Sequence, residues 1–346
     1  MIANRSALAL LSRVPGRKHV ALLCLAQCML SSLCARAEEP TIISFDPPGS
    51  RQTIPLSINA GGSVTGYYSD ESGVQHGFLR SPDGSFTVID APGATATNGW
   101  SINNDGWIAG YFVASNTFHG FLRAPDGRFI TFDPPGSTET LPQSINSASM
   151  ITGYYSDANG TFHGFARAPD GTITSFDPSA STSTRPSSIN SAGEITGSYV
   201  DSAQLYHGFV RASDGTFTTF LAQPGQNTQP ASINSAGEVT GTYGPNNSPL
   251  GFLRMADGTI ITFVPKNALT SVSPYGINDA GDITGFYVDP RGNSHGFVRH
   301  LDGTFATFGL PGVTFIFPFS INSAGEITGY YQASVYTTSH GFLIRP

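Results

Sequence analysis

The ten residues SINSAGEITG occur twice without change, at positions 188–197 and 320–329, and SINSAGEVTG stands at 232–241. Their asparagines belong to a longer series: Asn59, Asn103, Asn146, Asn190, Asn234, Asn278 and Asn322, each preceded by Ser-Ile or Gly-Ile. Neighbouring members lie 44 residues apart, with one spacing of 43. A period of that length matches a four-stranded propeller blade. Helical repeats of similar length exist, but this chain has no apolar stripe of helical period. Its many Phe, Tyr, Ile and Thr residues fit a pleated, half-buried surface instead.

One unit, 187–229, reads as four strands. SSIN is the first, and SAG is a turn in which the asparagine side chain can bond backbone amides beyond it. EITGSYV is the second strand, DSAQLY a loop, HGFVRA the third strand, SDG a tight turn and TFTTFLA the fourth strand. Gly193, Gly237 and Gly325 would take the turn conformation that a side chain resists. Ile189 and Ile195 are expected to fill the space between blades. The chain ends complement each other. TIISFDPPGS (41–50) matches a fourth strand such as the one in ITFDPPGS (130–137), and the C-terminal unit supplies only three strands. The expected fold is an all-β seven-bladed β-propeller over residues 41–346, with four-stranded antiparallel blades. The N-terminal strand completes the last blade, which closes the ring and leaves no open sheet edge between the first and last blades.

Residues 1–37 read as a cleavable export signal. Arg5, Arg13, Arg17 and Lys18 precede an apolar run, VALLCLAQCMLSSL (20–33), and Ala35-Arg36-Ala37 fits the small-x-small cleavage rule. The run is about 14 residues, short of the ~20 that span a bilayer. Cys24, Cys28 and Cys34, the three cysteines of the chain, all lie there, so the remainder has neither disulfides nor a thiol nucleophile. The whole chain carries −7; removing the leader leaves 12 basic against 24 acidic residues, a charge of −12. Such a surface repels nucleic acid and anionic membranes. The expectation is a secreted, extracellular or periplasmic monomer, with no membrane insertion after cleavage.

The pattern I-N-x-x-G-x-[IV]-x-G, then H-G-F-[LV]-R, then D-G-x-[FI] resembles the bacterial HAF extracellular repeat family, across all seven units. The chain departs from it by carrying glycine at Gly77, Gly120, Gly164, Gly208, Gly296 and Gly341, where that family usually has alanine. It also carries arginine where that family often has tryptophan. The resemblance implies an exported repeat protein and lends no catalytic residues.

Six units keep a histidine (His76, His119, His163, His207, His295, His340), with Leu250 in the fifth. Metal ligands must converge within about 2.1 Å of one ion. These copies sit on third strands, far from the axis, and are read as structural, each bonding a neighbouring blade. The repeated arginines, Arg80 to Arg299, are read as carboxylate partners or as covers for apolar surface. The Asp-Gly pairs are read as turns. SDESG (69–73) and SDANG (156–160) leave a weak chance of calcium; no other cofactor and no metal ligand set is expected. No catalytic residues stand out: catalysis needs unlike groups at one place, and the repeat offers like groups at seven.

Meander connectivity puts the monotonous NSAG and PDG turns on one face and the variable loops on the other. The residue before each Ser-Ile-Asn or Gly-Ile-Asn also varies: Leu56, Trp100, Gln143, Ser187, Ala231, Tyr275 and Phe319. Trp100, Tyr275 and Phe319 are expected to place flat apolar faces near the channel mouth, joined by Phe315 and Phe317 of the seventh crossover. Sealing of gaps between blades is the competing reading. The function expected is a non-catalytic binding module for a glycan or protein ligand on the variable face. The alternative is a secreted propeller enzyme, a lyase or hydrolase acting on polysaccharide or a small metabolite.

Overall fold

The computed structural model describes residues 41–269, 271–334 and 337–346; the expected leader lies outside them. Among the described residues are 28 strands in seven antiparallel sheets of four. Six sheets follow chain order, over 50–89, 96–132, 139–176, 183–220, 228–263 and 271–308, and define blades 1 to 6. Blade 7 joins Phe315–Ile321, Ile327–Gln332 and His340–Arg345 to the N-terminal strand Thr41–Phe45. Phe45 stands opposite Gly341 and Thr41 opposite Arg345. The first strand of each blade touches the first strands on both sides, and Phe315–Ile321 touches Ser50–Ile58. The ring is therefore closed around a central channel lined by the first strands. No helix among the described residues is long and apolar enough to cross a membrane.

The apolar core lies between blades. Ala166 and Phe176 of blade 3 pack with Ile189, Ile195, Tyr199 and Phe209 of blade 4, so the two isoleucines sit where expected. One phenylalanine per blade, from Phe78 to Phe342, is fully buried, each contributing about 2 kcal/mol by leaving water.

The repeated decamer is explained atom by atom. Asn190 Oδ1 accepts from the backbone N–H groups of Ala192 and Glu194, which shapes its own turn. Its Nδ2 donates to the carbonyl of Asn234 in the next blade at 3.0 Å. The same step links Asn59 to Asn103, Asn103 to Asn146, Asn146 to Asn190, Asn234 to Asn278, Asn278 to Asn322 and Asn322 back to Asn59. The result is a closed belt of seven side-chain bonds. The amide, with acceptor and donor on separate atoms, can accept within its turn and donate outward at once. Ser188 Oγ accepts from the Ile233 N–H of the next blade, and Thr196 Oγ1 donates to the Phe209 carbonyl. Gly193, Gly237 and Gly325 have φ of +80°, +79° and +78°.

Two glycines serve close approach. A Cβ on Gly197 would overlap the Arg185 carbonyl of the paired first strand. A Cβ on Gly208 would stand 2.6 Å from the Phe220 ring, which explains why glycine replaces alanine on this strand.

The first strands begin earlier than the sequence suggests. Ser183–Ile189 starts four residues before the SSIN read above as the strand, and Phe315–Ile321 includes Phe315 and Phe317, read above as crossover. The Thr-Arg-Pro and Phe-Ile-Phe-Pro stretches look like loops because of their prolines. These strands are inner edges, where a missing proline N–H breaks no ladder bond.

Candidate functional site

Each first strand carries a β-bulge, and the extra residue is Leu56, Trp100, Gln143, Ser187, Ala231, Tyr275 or Phe319. A bulge re-aims a side chain and bends the strand. Trp100 is fifth of seven residues in Ala96–Ile102, and Phe319 fifth of seven in Phe315–Ile321. Each thus lies two residues before the end of its strand. Phe315 is the first residue of its strand.

Blades 6 and 7 build an aromatic wall. The Tyr275 and Phe319 rings meet edge to face at 4.9 Å between centroids. Phe317 lies 4.9 Å from Phe286 and 4.8 Å from Tyr330, and Phe315 is parallel to Phe317 at 6.4 Å. Four of the five expected aromatics thus come together. Trp100 does not join them; it packs on Tyr111 of its own blade at 5.8 Å.

The sequence reading missed the second-strand partners. The residue after each second-strand glycine is Tyr67, Tyr111, Tyr154, Ser198, Thr242, Phe286 or Tyr330. It breaks the repeat as clearly as the bulge residue does, and that was the available signal. Burial pushes the Tyr330 hydroxyl up to about 12, and Tyr275 and Tyr67, from the blades on either side, add to the shift. Burial likewise pushes Tyr111 up to about 12, with Tyr67 and Tyr154 contributing. Each of these two tyrosines thus lies near tyrosines of both flanking blades. The wall is uneven: aromatic in blades 6, 7, 1, 2 and 3, small and polar at Ser198 and Thr242 of blades 4 and 5.

Where the polar segment meets the aromatic wall, a cleft of about 370 Å³ opens between blades 5 and 6. Asn227, Gln229, Thr242, Asn246 and Ser273 supply amides and hydroxyls, Pro230, Pro249 and Pro274 supply apolar surface, and Tyr275 forms one side. Tyr275 is 39% exposed. The Gly244 N–H donates to the Asn227 carbonyl and fixes the rim. This is the blade in which Leu250 replaces histidine.

The other repeated polar residues serve the scaffold. Histidines bond aspartates of their own blade, not of a neighbour as expected: His163 Nδ1 to Asp177 at 2.7 Å, and His340 Nδ1 to Asp46 at 2.7 Å. The third strand lies beside the fourth within one sheet, so the aspartate closing the fourth strand is in reach. In blades 4 and 6, which lack that aspartate, His207 and His295 turn Nε2 to Asp201 and Asp289 of the preceding loop. The aspartate carries the link onward: Thr140 of blade 4's neighbour, blade 3, donates to Asp133 of blade 2 at 2.6 Å. Arginines lie over phenylalanines of the preceding blade, as Arg80 over Phe45 and Arg167 over Phe132, both at 5.0 Å. In the two oxygen-rich loops, Asp70 Oδ1 accepts from the Ser72 and Val74 N–H groups, and Asp157 Oδ1 from Asn159 and Thr161. Among the described residues no group of three His, Cys, Asp or Glu converges to hold a metal.

No protein-family model matches the chain, and no curated protein does. Solved structures do. A catalytically inactive histidine-to-alanine variant of virginiamycin B lyase from Staphylococcus aureus, with quinupristin, superposes with a TM-score of 0.60 at 13% identity. The match covers 89% of this chain and all of that one. A streptogramin B lyase structure gives 0.56 at 13%, over 88% and 97%. A puromycin hydrolase mutant gives 0.58 at 13%, over 83% of this chain and 52% of that chain. At these identities the likeness is one of fold. The chain is a seven-bladed β-propeller.

Proposed function

We propose that the chain is an exported, non-catalytic binding module, akin to the HAF repeat proteins its units resemble, with a glycan as ligand. The site is the cleft between blades 5 and 6 together with the aromatic wall beside it. Tyr275 carries the reading, because it borders the cleft and meets Phe319 within the wall. A pyranose needs a flat apolar surface for its C–H face and amides or hydroxyls for its rim, and this place offers both. The leader-like residues 1–37 support export.

Two observations favour binding over catalysis. Tyr111 and Tyr330, at about 12, stay protonated at neutral pH and can donate hydrogen bonds but not serve as bases. The described histidines of the repeat lie on third strands, two strands away from the innermost ones that carry Tyr275 and Phe319.

The test is a glycan array probed with the purified chain, with Tyr275→Ala/Phe319→Ala, and with Trp100→Ala. Binding by the parent, lost in the double variant and kept in Trp100→Ala, is the expected outcome. Absence of any bound glycan would remove the ligand class, leaving a protein partner. Conversion of an arrayed polysaccharide would replace the module by the lyase or hydrolase reading.

A further inference from the structure

Arg185 breaks the ring on which it stands. It is third in the first strand of blade 4 and pairs with Ser198. The same register in the other blades holds Ile54, Asn98, Leu141, Gln229, Ser273 and Phe317, so Arg185 is the one charge of that ring. Its guanidinium carbon lies 4.4 Å from the centre of the Phe162 ring and 5.8 Å from that of Tyr154. The arginines of the third strands differ from it in position: they sit against fourth-strand rings, and Arg80, Arg167 and Arg299 are buried. Arg185 is exposed. No carboxylate of a described residue lies within 4.0 Å of its nitrogens.

A guanidinium lying over an aromatic ring keeps its in-plane N–H donors pointing sideways, in the fork that matches a carboxylate. Stacking also removes much of the freedom that a lone arginine would lose on binding. Glu139 flanks the same Tyr154, raising its hydroxyl while Arg185 lowers it, and burial outweighs both. That neighbouring acid, and the acidic balance of the chain, disfavour a dianion such as phosphate. A single planar monoanion fits.

We infer that Arg185 is a specificity-determining residue that selects a uronic acid unit, a carboxylate-bearing sugar, within the bound glycan. This rests on the binding reading above. Arg185 and Gln229 hold equivalent positions in adjacent strands, tied by the Ser187 hydroxyl donating to the Pro230 carbonyl at 2.9 Å. Arg185 stands on the strand next to that of Gln229, and its guanidinium lies over rings of blade 3, so a chain of sugars seated in the cleft reaches it by running on across blade 4.

The test is calorimetric titration with trisaccharides of galacturonate, glucuronate and mannuronate, each as free acid and as methyl ester. The two forms differ in charge, and the sugar skeleton is kept. At least one acid is expected to bind about tenfold to a hundredfold more tightly than its ester. Arg185→Gln should bring the acid down to the ester's level, and Arg185→Lys should fall between. An unchanged melting temperature excludes misfolding of the exposed-site variants. Equal binding of acid and ester, equal weakening of both by Arg185→Gln, or no binding by any of the three acids would each overturn the inference. Neutral glycans that bind on the array and are indifferent to Arg185→Gln would leave the binding module standing without it.

Discussion

Asn322 Nδ2 donates to the carbonyl of Asn59 at 3.0 Å, across 263 residues of sequence. That bond is the seventh and last of the asparagine belt, and it fastens the final blade to the first. The four-stranded sheet shared by the two chain ends makes the same closure at the rim. The ring is thus held both at its axis and at its periphery, which gives a rigid frame for the uneven channel wall.

Asn190→Asp should test the belt. The substitution keeps the shape, loses the donor and sets a carboxylate against the Asn234 carbonyl and the Glu194 carboxylate, which Nδ2 now bonds at 2.7 Å. A loss of at least about 2 kcal/mol is expected from the buried mismatch. Urea unfolding at pH 7 measures it. A change under 0.5 kcal/mol, on the order of an ordinary surface substitution, would mean the belt adds nothing to stability.

Gly197→Ala should cost about 3 kcal/mol, because its Cβ would overlap backbone that cannot move without breaking the bulge. Gly160→Ala makes a useful contrast. Nothing lies within 4 Å of a Cβ there, and only its φ of +78° resists, so a loss of about 1 kcal/mol is expected. Thermal melts of both variants rank the two effects, and an equal drop would argue against the close approach.

Acid should weaken the fold through its turn aspartates. Asp201 is held below the ordinary carboxylate range chiefly by the His207 hydrogen bond, and Asp157 chiefly by the Thr161 N–H. A depressed value in the folded state means stability that is present above the unfolded value, about 4, and lost as pH falls through the folded one. Urea midpoints should therefore fall below about pH 4, and Asp201→Asn should flatten that fall. A curve that Asp201→Asn leaves unaltered would remove this aspartate from the account.

At the other end of the scale, Tyr111 and Tyr330 titrate at about 12, against about 10 for an exposed tyrosine. Their raised values mean stability that is complete below pH 10 and lost as pH rises through 10 toward 12. Ultraviolet titration of phenolate should place Tyr111 and Tyr330 among the latest tyrosines to ionise, each late signal absent in the matching Phe variant. Ionisation of all tyrosines together near pH 10, in a chain still folded, would contradict the burial of these two hydroxyls.

Much of the architecture is legible in the seven asparagines. A period near 44, a meander within each unit and complementary chain ends leave a closed ring as the arrangement that pairs every unit's strands. The candidate site was legible only in part. Tyr275, Phe315, Phe317 and Phe319 stand out as departures from the repeat, and they do assemble. Trp100 stands out equally and lies with Tyr111 instead, because its blade is not adjacent to theirs. Tyr330 and Phe286 are masked in the second strand by the repeated Thr-Gly pair beside them. Arg185 was hidden in a stretch whose proline makes it read as loop.

The sequence by itself determined the blade count, the strand order and the closing strand, because local pairing within a repeat follows from residue types at fixed spacing. Only the tertiary structure decided which non-repeated side chains meet. Neighbours around a ring are separated by a whole unit of sequence, and a one-residue bulge turns a side chain between sheet and channel. The cleft beside Tyr275, the open guanidinium of Arg185 and the outward amide of each asparagine depend on that geometry, which no single unit contains.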